Sequence, residues 1–586
     1  MKQRFGAIVG VLAALLIGSF AISGAASAAG DAGSSATKLE KSVKKADKKA
    51  KAACKKVKKA KGAKAKKQAK KRCKSAKKNA TKQRKKLKNY NLQFFDVCKH
   101  GCKYKTIRDG AYAAGAWQFK NKKRNATVRV QPGTYVEGVF IHGQQPNHDF
   151  DHLTIMGVTK NKTDLKDASK VILEGANAQT IVKGTPGWFE GDAPTKPANN
   201  AIEARDVDGI VMKNMWARHY LANTFFVWAS TNPSFGESCR DYTMDNLITS
   251  DTRSYGFFAR NCFGGTIKNS EGWNHGDSAV YIGETPCDDP AWTNHGANPA
   301  PCQANPDWTV IDNVKSHQNV LGYSGTNSKY VEIKNSSFFN NGAGIVPNTL
   351  DSEKFEPSGW LNIHDNNIFW NNYNYFSTGS EFLTVSDGLG EVLGQTVNYP
   401  MGVGIALFGS DGVEVTDNNI FGNEKWGVMT FSAPVLEGVV DANTGDDAKN
   451  LNNSFNGNAM GRAGVDPNGV DFLNDNTGGG NCFSGNTATP AVTYVLGNGT
   501  TPQNVLYPAC PLGKVLNDSV VSYEFGSGIQ YNPVNELDKT TILGYVASEP
   551  AKNQECSWTR STPHPAFTDE AGYTYTEKRS DPVVCP

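Results

Sequence analysis

From Ala126 onward, apolar and polar residues alternate in short runs that Asn, Asp and Gly interrupt. One unit recurs, with two apolar residues at alternate positions followed by an Asn or Asp. Its copies end at Asn214, Asn246, Asn269, Asn313, Asn335, Asp365 and Asp417. Two of the intervals, 23 and 22 residues, equal one short coil, and the others equal one coil plus an insertion. Period-two strands in a repeat of this length predict a parallel β-solenoid.

A second apolar strand follows most of these units, as in GFFARN, AVYIG and GIALFG. Alternation predicts that Val280, Ile345 and Ile405 point inward. The residues predicted to point outward are Phe226, Trp228, Phe258, Arg260, Tyr281, Phe408 and Phe431. Outward aromatic rows suit stacking against sugar rings, and the alternative is that insertions bury them.

Six residues beyond the Asn/Asp column stand Asn319, Asn341, Asn371 and Asn423. Coils that stack about 4.8 Å apart would place these amides in a hydrogen-bonded ladder along the stack. The same count from Asn269 reaches His275. His275 is therefore predicted to occupy a ladder position.

The stretch ATVRVQPGTYVEGV and the coils after it resemble right-handed parallel β-helix proteins of the pectin-lyase-like superfamily, most closely the secreted bacterial β-helix repeat group. Residues 476–510 also resemble the closing segment of such proteins, and the resemblance covers about residues 105–510. It implies an all-β fold, a right-handed parallel β-helix. It does not fix an activity, because the superfamily contains lyases, hydrolases, epimerases and non-enzymes.

The N-terminal segment has a different pattern. A heptad seam made mostly of alanine runs through Leu39, Val43, Ala46, Ala50, Ala53, Val57 and Ala60. Gly62 interrupts it, a second Ala-rich run follows to Leu87, and Cys54 and Cys73 lie nearly symmetrically about the break. This pattern predicts a Lys/Ala-rich α-helical hairpin that a Cys54–Cys73 disulfide would staple, with a disordered arm as the alternative.

Charge separates this arm from the rest of the chain. Between Lys38 and Lys88, 26 Lys and Arg face only Glu40 and Asp47, a net charge of +24, whereas residues 89–586 carry −18 within a total of +7. The arm is expected to bind a polyanion, such as an anionic cell-wall or membrane polymer, and the alternative is a solvated spacer. No aromatic residues interleave with its lysines, which argues against specific nucleic-acid binding.

The first residues predict export. Lys2 and Arg4 precede an apolar run, and Ala26-Ser27-Ala28 fits a cleavage site, so residues 1–28 are interpreted as a signal peptide, with an uncleaved anchor as the alternative. We therefore expect a secreted or cell-surface monomer. The predicted divisions are residues 1–28, the arm 29–88, the β-helix 89–510, and a C-terminal cap or irregular extension 511–586.

Twelve cysteines in an exported chain favour disulfides over metal sites. The nearest-neighbour pairs are Cys287–Cys302, Cys482–Cys510 and Cys556–Cys585. Cys98 and Cys102 stand alone, and as a zinc half-site they are a weak signal.

Candidate chemistry centres on His275-Gly276-Asp277-Ser278. Other ionisable residues fall in the same turn of neighbouring coils, among them Arg218 and His219. The candidate acid–base residues are His275, Asp277, Arg253, Asp251 and His317. The alternative interpretation is a structural network of charged turn residues.

Insertions near residues 229–241, 284–307 and 348–360 all follow the second strand, so they would frame one binding face. The candidate substrate-binding residues are Phe226, Trp228, Phe258, Arg260, Tyr281 and Trp292. Asp277, Asp288 and Asp289 are candidate ligands for Ca²⁺, which prefers several oxygen donors.

The motifs of the family's enzymes are incomplete in this chain. Polygalacturonase-like members combine an Asp-Asp pair with Gly-His-Gly, but here Asp288-Asp289 lies in an insertion and His275-Gly276-Asp277 replaces the histidine motif. Epimerase-like members carry Asp-Pro-His-Glu, whereas this chain has Asp466-Pro467-Asn468.

The sequence-based hypothesis is a protein that binds an extracellular polysaccharide and cleaves it by lyase-like β-elimination of a uronic-acid polymer. Glycoside hydrolysis is the other enzymatic reading. The rival class is a non-catalytic surface or matrix protein anchored by its arm. The acidic body weighs against a polyanionic substrate unless Ca²⁺ or local arginines offset its charge.

Overall fold

The computed structural model describes residues 30–59, 61–90, 92–122, 124–175, 199–220, 222–230, 239–285, 306–350, 353–373, 401–431, 433, 449–474, 478–494, 507–512 and 563–578. The chain divides into two compact units, Met1–Asn91 and Leu92–Pro586. In the described part of the chain, no helix combines the length and apolar character needed to cross a membrane.

The first unit contains the predicted helical hairpin, formed by α1 (Gly30–Lys59) and α2 (Ala63–Tyr90). A disulfide joins Cys54 to Cys73, and Arg84 Nη2 lies 2.8 Å from Asp47 Oδ1 nearer the open end. Within α1, the seam positions from Val43 to Val57 are buried or half-buried, while the lysines between them are exposed. The heptad pattern is thus confirmed as the contact between two antiparallel helices.

Parallel strands make up most of the second unit. Sheet I has 18 strands among the described residues: β1 (Leu92–Val97), β2 (Asn125–Val130), β3 (Gly133–Val136), β5 (Thr154–Gly157), β6 (Val171–Glu174), β8 (Val211–Arg218), β10 (Thr243–Thr252), β12 (Gly265–His275), β14 (Thr309–His317), β16 (Val331–Lys334), β17 (Ser337–Phe339), β20 (Asn362–His364), β21 (Asn367–Phe369), β24 (Glu414–Thr416), β25 (Asn419–Phe421), β28 (Ser454–Asn456), β29 (Ala459–Met460) and β32 (Cys482–Ser484).

Sheet II has ten strands among the described residues: β4 (Val139–His142), β7 (Ile202–Arg205), β9 (Phe225–Trp228), β11 (Phe257–Arg260), β13 (Ser278–Gly283), β15 (Leu321–Thr326), β18 (Ala343–Asn348), β22 (Val403–Phe408), β26 (Trp426–Phe431) and β30 (Val470–Asn474). Sheet III consists of β19 (Ser358–Gly359), β23 (Ser410–Asp411), β27 (Asn450–Leu451) and β31 (Gly478–Gly479). An antiparallel hairpin, β33 (Phe567–Thr568) and β34 (Thr574–Tyr575), lies near the C-terminus.

Successive coils add one strand to each face. In sheet II, Phe226 pairs with Phe258 and Phe258 with Tyr281, and the same parallel register continues along the stack. In sheet I, β14 pairs with both β16 and β17, so this sheet bends and covers two faces of each coil. The predicted fold, an all-β parallel β-helix preceded by a helical hairpin, is confirmed.

The Asn/Asp column marks the bend within sheet I. Asn214, Asn246, Asn269, Asn313, Asn335, Asp365 and Asp417 all have φ between 50° and 61°. Asn and Asp enter this left-handed region more readily than other side chains that carry a Cβ atom, which explains why they recur at the corner.

The predicted amide ladder is also confirmed. Nδ2 of Asn319 donates to Oδ1 of Asn341 at 2.9 Å, and the chain of bonds continues through Asn371 and Asn423 to Asn468. A second ladder, which the sequence analysis did not identify, joins Asn366, Asn418, Asn458 and Asn486. Between successive members of both ladders, the Asn Oδ1 accepts from the backbone N–H and the side-chain amide of the Asn on the neighbouring coil. Apolar residues at these positions would leave the buried backbone N–H groups without an acceptor.

The core fills the coils and is closed at both ends. Val280, Ile345 and Ile405 lie in it, as alternation predicted. Helix α3 (Ile107–Lys120) packs on the first strands, and the side chain of Thr106 caps it by accepting from the Asp109 N–H. Tyr507 packs on the last strands and accepts a hydrogen bond from the Asn474 N–H.

The eight described cysteines form four disulfides: Cys54–Cys73, Cys98–Cys102, Cys239–Cys262 and Cys482–Cys510. The Cys482–Cys510 pairing is confirmed, and the Cys98–Cys102 pair is a disulfide rather than a zinc half-site. The predicted pairs Cys287–Cys302 and Cys556–Cys585, like the predicted signal peptide, lie outside the described residues.

Candidate functional site

An aromatic cluster lies on the outer face of sheet II. The rings of Phe226 and Phe258 stack with centroids 4.3 Å apart, and Tyr281 meets Phe258 edge-on at 4.8 Å. Trp228 stacks on Phe226, and Tyr255 contacts both Phe258 and Tyr281. The register places equivalent residues of adjacent coils side by side, which explains this contiguous platform. We call the surface around it the sheet II groove.

Most of the platform is covered rather than exposed. Phe226 and Phe258 are each 9% exposed and Tyr281 is 2% exposed, although they form a cluster separate from the core. Trp228 and Tyr255 remain partly exposed. Phe408 and Phe431 lie in another buried cluster outside the main core. The sequence analysis left open whether the outward aromatic residues are exposed for sugar stacking or buried by covering segments, and most of these rings are buried.

Two carboxyl groups lie beside the platform. Asp277 precedes β13, and its Oδ1 is buried with no hydrogen-bond partner among the described residues. Burial raises the pKa of Asp277 to about 7, and the charge of Glu353 contributes to this increase. Glu353 comes from the segment between β18 and β19, and its Oε2 accepts a 2.5 Å hydrogen bond from the Tyr281 hydroxyl.

Burial also raises the pKa of Glu353 to about 7, although the hydrogen bond from Tyr281 opposes the increase. Two interacting carboxyl groups with pKa values near 7 exchange protons readily at neutral pH. Such a pair can supply one general acid and one general base to the same ligand.

Charged pairs border the platform. Glu284, which is buried, receives two hydrogen bonds from Arg260, at 2.5 and 2.9 Å, and Arg260 keeps 41% of its side chain exposed. Glu203 accepts from Trp228 Nε1 at 3.0 Å, and burial raises its pKa. Arg205 lies over the Trp228 ring, 4.6 Å from its centroid. These contacts hold the partly exposed Trp228 and Arg260 in fixed positions.

His275 has a different environment from Asp277. It is 1% exposed, and its Nδ1 lies 2.6 Å from Thr252 Oγ1. Its backbone N–H donates to Asn319 Oδ1, the same bond that Asn319 makes to Asn341. Burial lowers the pKa of His275 to about 3. His275 is therefore a neutral residue inside the ladder.

The remaining candidate acid–base residues are dispersed. Asp251 accepts from Asn274 and lies 4.0 Å from His219, which also contacts Glu174. His317 pairs with Glu271 at 3.2 Å and stacks on Trp273, on the outer face of sheet I. Two guanidinium nitrogens of Arg253 are buried. The structure thus places Asp277 beside Tyr255 of the aromatic cluster, puts Arg260 opposite Gly283 at the far end of β13, and places His317 on another sheet.

Three candidates, Asp288, Asp289 and Trp292, lie outside the described residues. Within the described part of the chain, no group of three or more His, Cys, Asp or Glu could hold a metal ion.

Sequence reasoning missed Glu353, Glu284, Glu203 and Tyr255. One signal did point to Glu353, because it lies in the 348–360 insertion that was predicted to frame the binding face. Glu203 occupies the same register position as Phe226 on the preceding strand of sheet II. Aligning the coils would have found it.

No protein-family model and no curated protein matches the chain. Its fold is similar to the catalytic unit of a GH87 α-1,3-glucanase from Streptomyces thermodiastaticus strain HF3-3, with 16% identity over 66% of this chain and 63% of that one (TM-score 0.36). It is also similar to a rhamnogalacturonan lyase, with 10% identity over 62% of this chain and 87% of that one (TM-score 0.33). The chain thus spans less than two thirds of the glucanase unit, and we infer no activity from these likenesses.

Proposed function

We propose that the chain binds an extracellular polysaccharide in the sheet II groove and hydrolyses it with Asp277 and Glu353. The observation that carries this proposal is the pair of carboxyl groups with pKa values near 7 beside an aromatic platform. The partly exposed rings of Trp228 and Tyr255 suit the apolar faces of sugar rings, and two carboxyl groups are the usual requirement of glycoside hydrolysis.

Environment assigns the two roles. Asp277, like Glu353, interacts with a tyrosine hydroxyl, that of Tyr255, which lowers its pKa. Its Oδ1 is nevertheless buried without a hydrogen-bond donor, which favours the protonated form, so we assign Asp277 as the proton donor to the glycosidic oxygen. Glu353 accepts from Tyr281, which favours its ionised form, so Glu353 removes the proton from the attacking water. The bond between C1 and the glycosidic oxygen breaks and water oxygen bonds to C1. One proton moves to the leaving group and one to Glu353, so the step balances.

Uronate β-elimination is the second candidate. Arg260 favours it, because its exposed guanidinium lies at the edge of the groove, where it could contact a uronate carboxylate. Its charge is already neutralised by Glu284, however, and this is why we place hydrolysis first.

The test is an assay of the full chain on pectic, alginate, glycosaminoglycan, glucan and xylan polymers. New reducing ends without ultraviolet absorbance indicate hydrolysis, and absorbance from a new C4–C5 double bond indicates elimination. Each reaction is run with Ca²⁺ and with chelator, because the elimination predicted from the sequence could use this ion.

Asp277→Asn and Glu353→Gln are each expected to lower kcat by about a hundredfold or more. Glu332→Gln, which removes a carboxylate from the outer face of sheet I, is the matched control. Product formation that survives both groove substitutions would refute the proposed site. If no polymer yields a product, the proposal of hydrolysis is refuted and the alternative of a non-catalytic surface or matrix protein is favoured.

We also propose that the chain is exported and that its arm attaches it to an anionic cell-wall or membrane polymer. The lysines of the arm whose side chains the structure describes are exposed, and Asp47, one of its two acids, is paired with Arg84. The apolar seam of the arm consists mainly of alanine and is buried or half-buried in the contact between the two helices, so it is not available to a partner. Binding should therefore be electrostatic and should weaken as salt rises.

A further inference from the structure

We propose that a second carbohydrate-binding site lies between sheet I and the β33–β34 hairpin, independent of the sheet II groove. A cavity of about 600 Å³ opens there. We call it the hairpin groove. Its principal lining residues are Asn313, Asn335, Asp365, Asp417, Asn419 and Tyr573.

The floor of the hairpin groove is a regular array of hydrogen-bond acceptors. Asn313, Asn335, Asp365 and Asp417 belong to the bend column, so they recur at the coil spacing of about 4.8 Å. This spacing is comparable with the length of one pyranose unit in an extended glycan.

One amide N–H of each asparagine in this array is already used. Nδ2 of Asn313 donates to Asn269 at 2.9 Å, and Nδ2 of Asn335 donates to Asp312 at 2.8 Å. Nδ2 of Asn419 likewise donates to Asn367 at 3.0 Å. Among the described residues, the Oδ1 atoms of these three amides accept no hydrogen bond, so they are available to donors that a ligand supplies.

Aromatic rings of the hairpin form the opposite wall. Tyr573 is 48% exposed, packs edge-on against Tyr575 at 4.6 Å, and has Lys315 Nζ 3.3 Å from its centroid. Phe567 also lines the groove. An exposed ring beside a row of acceptors combines the two features that bind sugars, an apolar face for the ring and oxygens for its hydroxyl groups.

The local charge selects among sugars. Asp365, Asp417 and Glu570 line the hairpin groove with Lys315, and Asp569 accepts from the Tyr575 hydroxyl and the Tyr573 N–H. Carboxylates outnumber the cation, so uronates and other anionic sugars are disfavoured. The ligand class is a glycan rich in hydroxyl donors, carrying either no charge or amino groups.

Calorimetry on the full chain tests this site with two probes, a β-1,4-glucose hexamer and a β-1,4-glucosamine hexamer. Asp277→Asn and Glu353→Gln are both present, so that turnover does not interfere. Adding Tyr573→Ala is expected to weaken binding of at least one probe about tenfold, which corresponds to about 1.4 kcal/mol. Phe119→Ala, another exposed aromatic residue outside both grooves, is the matched control and should change nothing.

Asp417→Asn distinguishes amino groups from hydroxyl groups as the donors of the ligand. It removes the negative charge of the side chain and keeps a residue that tolerates the bend. It should weaken glucosamine binding and spare glucose binding if amino groups are recognised. Asn419→Ala provides a second variant that leaves the hairpin sequence intact. Unchanged affinity for both probes in Tyr573→Ala and Asn419→Ala would overturn the proposal, as would binding of Ca²⁺ alone with neither sugar. Loss of probe binding in Tyr573→Ala would support this site even if hydrolysis proved independent of Asp277.

Discussion

Replacing His564 by glutamine is expected to release residues 563–578, which form one wall of the hairpin groove. His564 is buried, and its Nδ1 lies 2.6 Å from Asp466 Oδ1. Its Nε2 lies 3.1 Å from Glu424 and 4.0 Å from Glu577. A buried imidazolium in contact with three carboxylates fastens this segment to the β-helix, while Tyr575 and Phe567 pack on Phe369.

The magnitude follows from the pKa of His564. Although burial lowers it, hydrogen bonds to Asp466 and Glu424 and the neighbouring negative charges raise it from 6.5 to about 9. This increase corresponds to about 3 kcal/mol of stabilisation of the protonated, docked form. Because the folded-state pKa is raised, the stabilisation is complete below pH 6.5 and is lost as the pH rises through 9.

Limited proteolysis measures the docking directly, with a protease that remains active from pH 6 to pH 10. Cleavage within residues 563–578 should accelerate about a hundredfold over this range in the wild type. His564→Gln should be cleaved rapidly at both pH values. His100→Gln, which alters an exposed histidine elsewhere, should match the wild type.

Two results would refute this reasoning. One is equal protection of the segment at pH 6 and pH 10 in the wild type. The other is the same pH dependence in His564→Gln as in the wild type, which would assign the titration to another group.

Three further predictions concern the groove, the ladder and the arm. If Asp277 and Glu353 act as acid and base, kcat/KM should have a bell-shaped pH profile centred near 7. In the wild type, the hydrogen bond from Tyr281 lowers the pKa of Glu353. Tyr281→Phe removes this bond, so the pKa of Glu353 should rise and the acidic limb of the profile should shift to higher pH. His275→Asn should retain both stability and activity, as measured by thermal unfolding and kcat, because asparagine fits the ladder; a hundredfold loss of kcat would instead make His275 catalytic. Reducing Cys54–Cys73 should destabilise the helical hairpin by about 3 kcal/mol, given the short loop it closes, and unchanged helical circular dichroism would contradict this.

Features that depend on a local period could be predicted from the sequence. The alternating strands, the Asn/Asp corners and the amide ladder repeat with each coil, so each coil provides independent evidence for them. The helical hairpin follows in the same way from its heptad seam and the break at Gly62. Inward positions such as Val280 and Ile345 required only the parity of the strand.

The candidate site depends on contacts that no local period encodes. Glu353 reaches Tyr281 across 72 residues, from an insertion whose course the repeat does not fix. Glu203 lies on β7 and Arg260 at the end of β11, and neither strand contains the partner of its charged residue, so the partners become visible only when the coils are in register. Alternation along a strand predicts which face a side chain lies on, but not whether neighbouring segments cover that face. The burial of the aromatic platform therefore could not be predicted from the strand pattern.

His275 and Asp277 show how one turn provides both scaffold and site. They are two residues apart, which in a continuous strand would place both side chains on the same face. Strand β12 ends at His275 and β13 begins at Ser278, so the chain turns the corner between them. The Gly276 N–H donates to Thr252 and the Asp277 N–H donates to Ser254, both on the preceding coil, while Leu321 on the next coil donates to the Asp277 carbonyl. The buried His275 thus anchors the corner that holds Asp277 at the sheet II groove, and a preorganised carboxyl group is what acid–base catalysis requires.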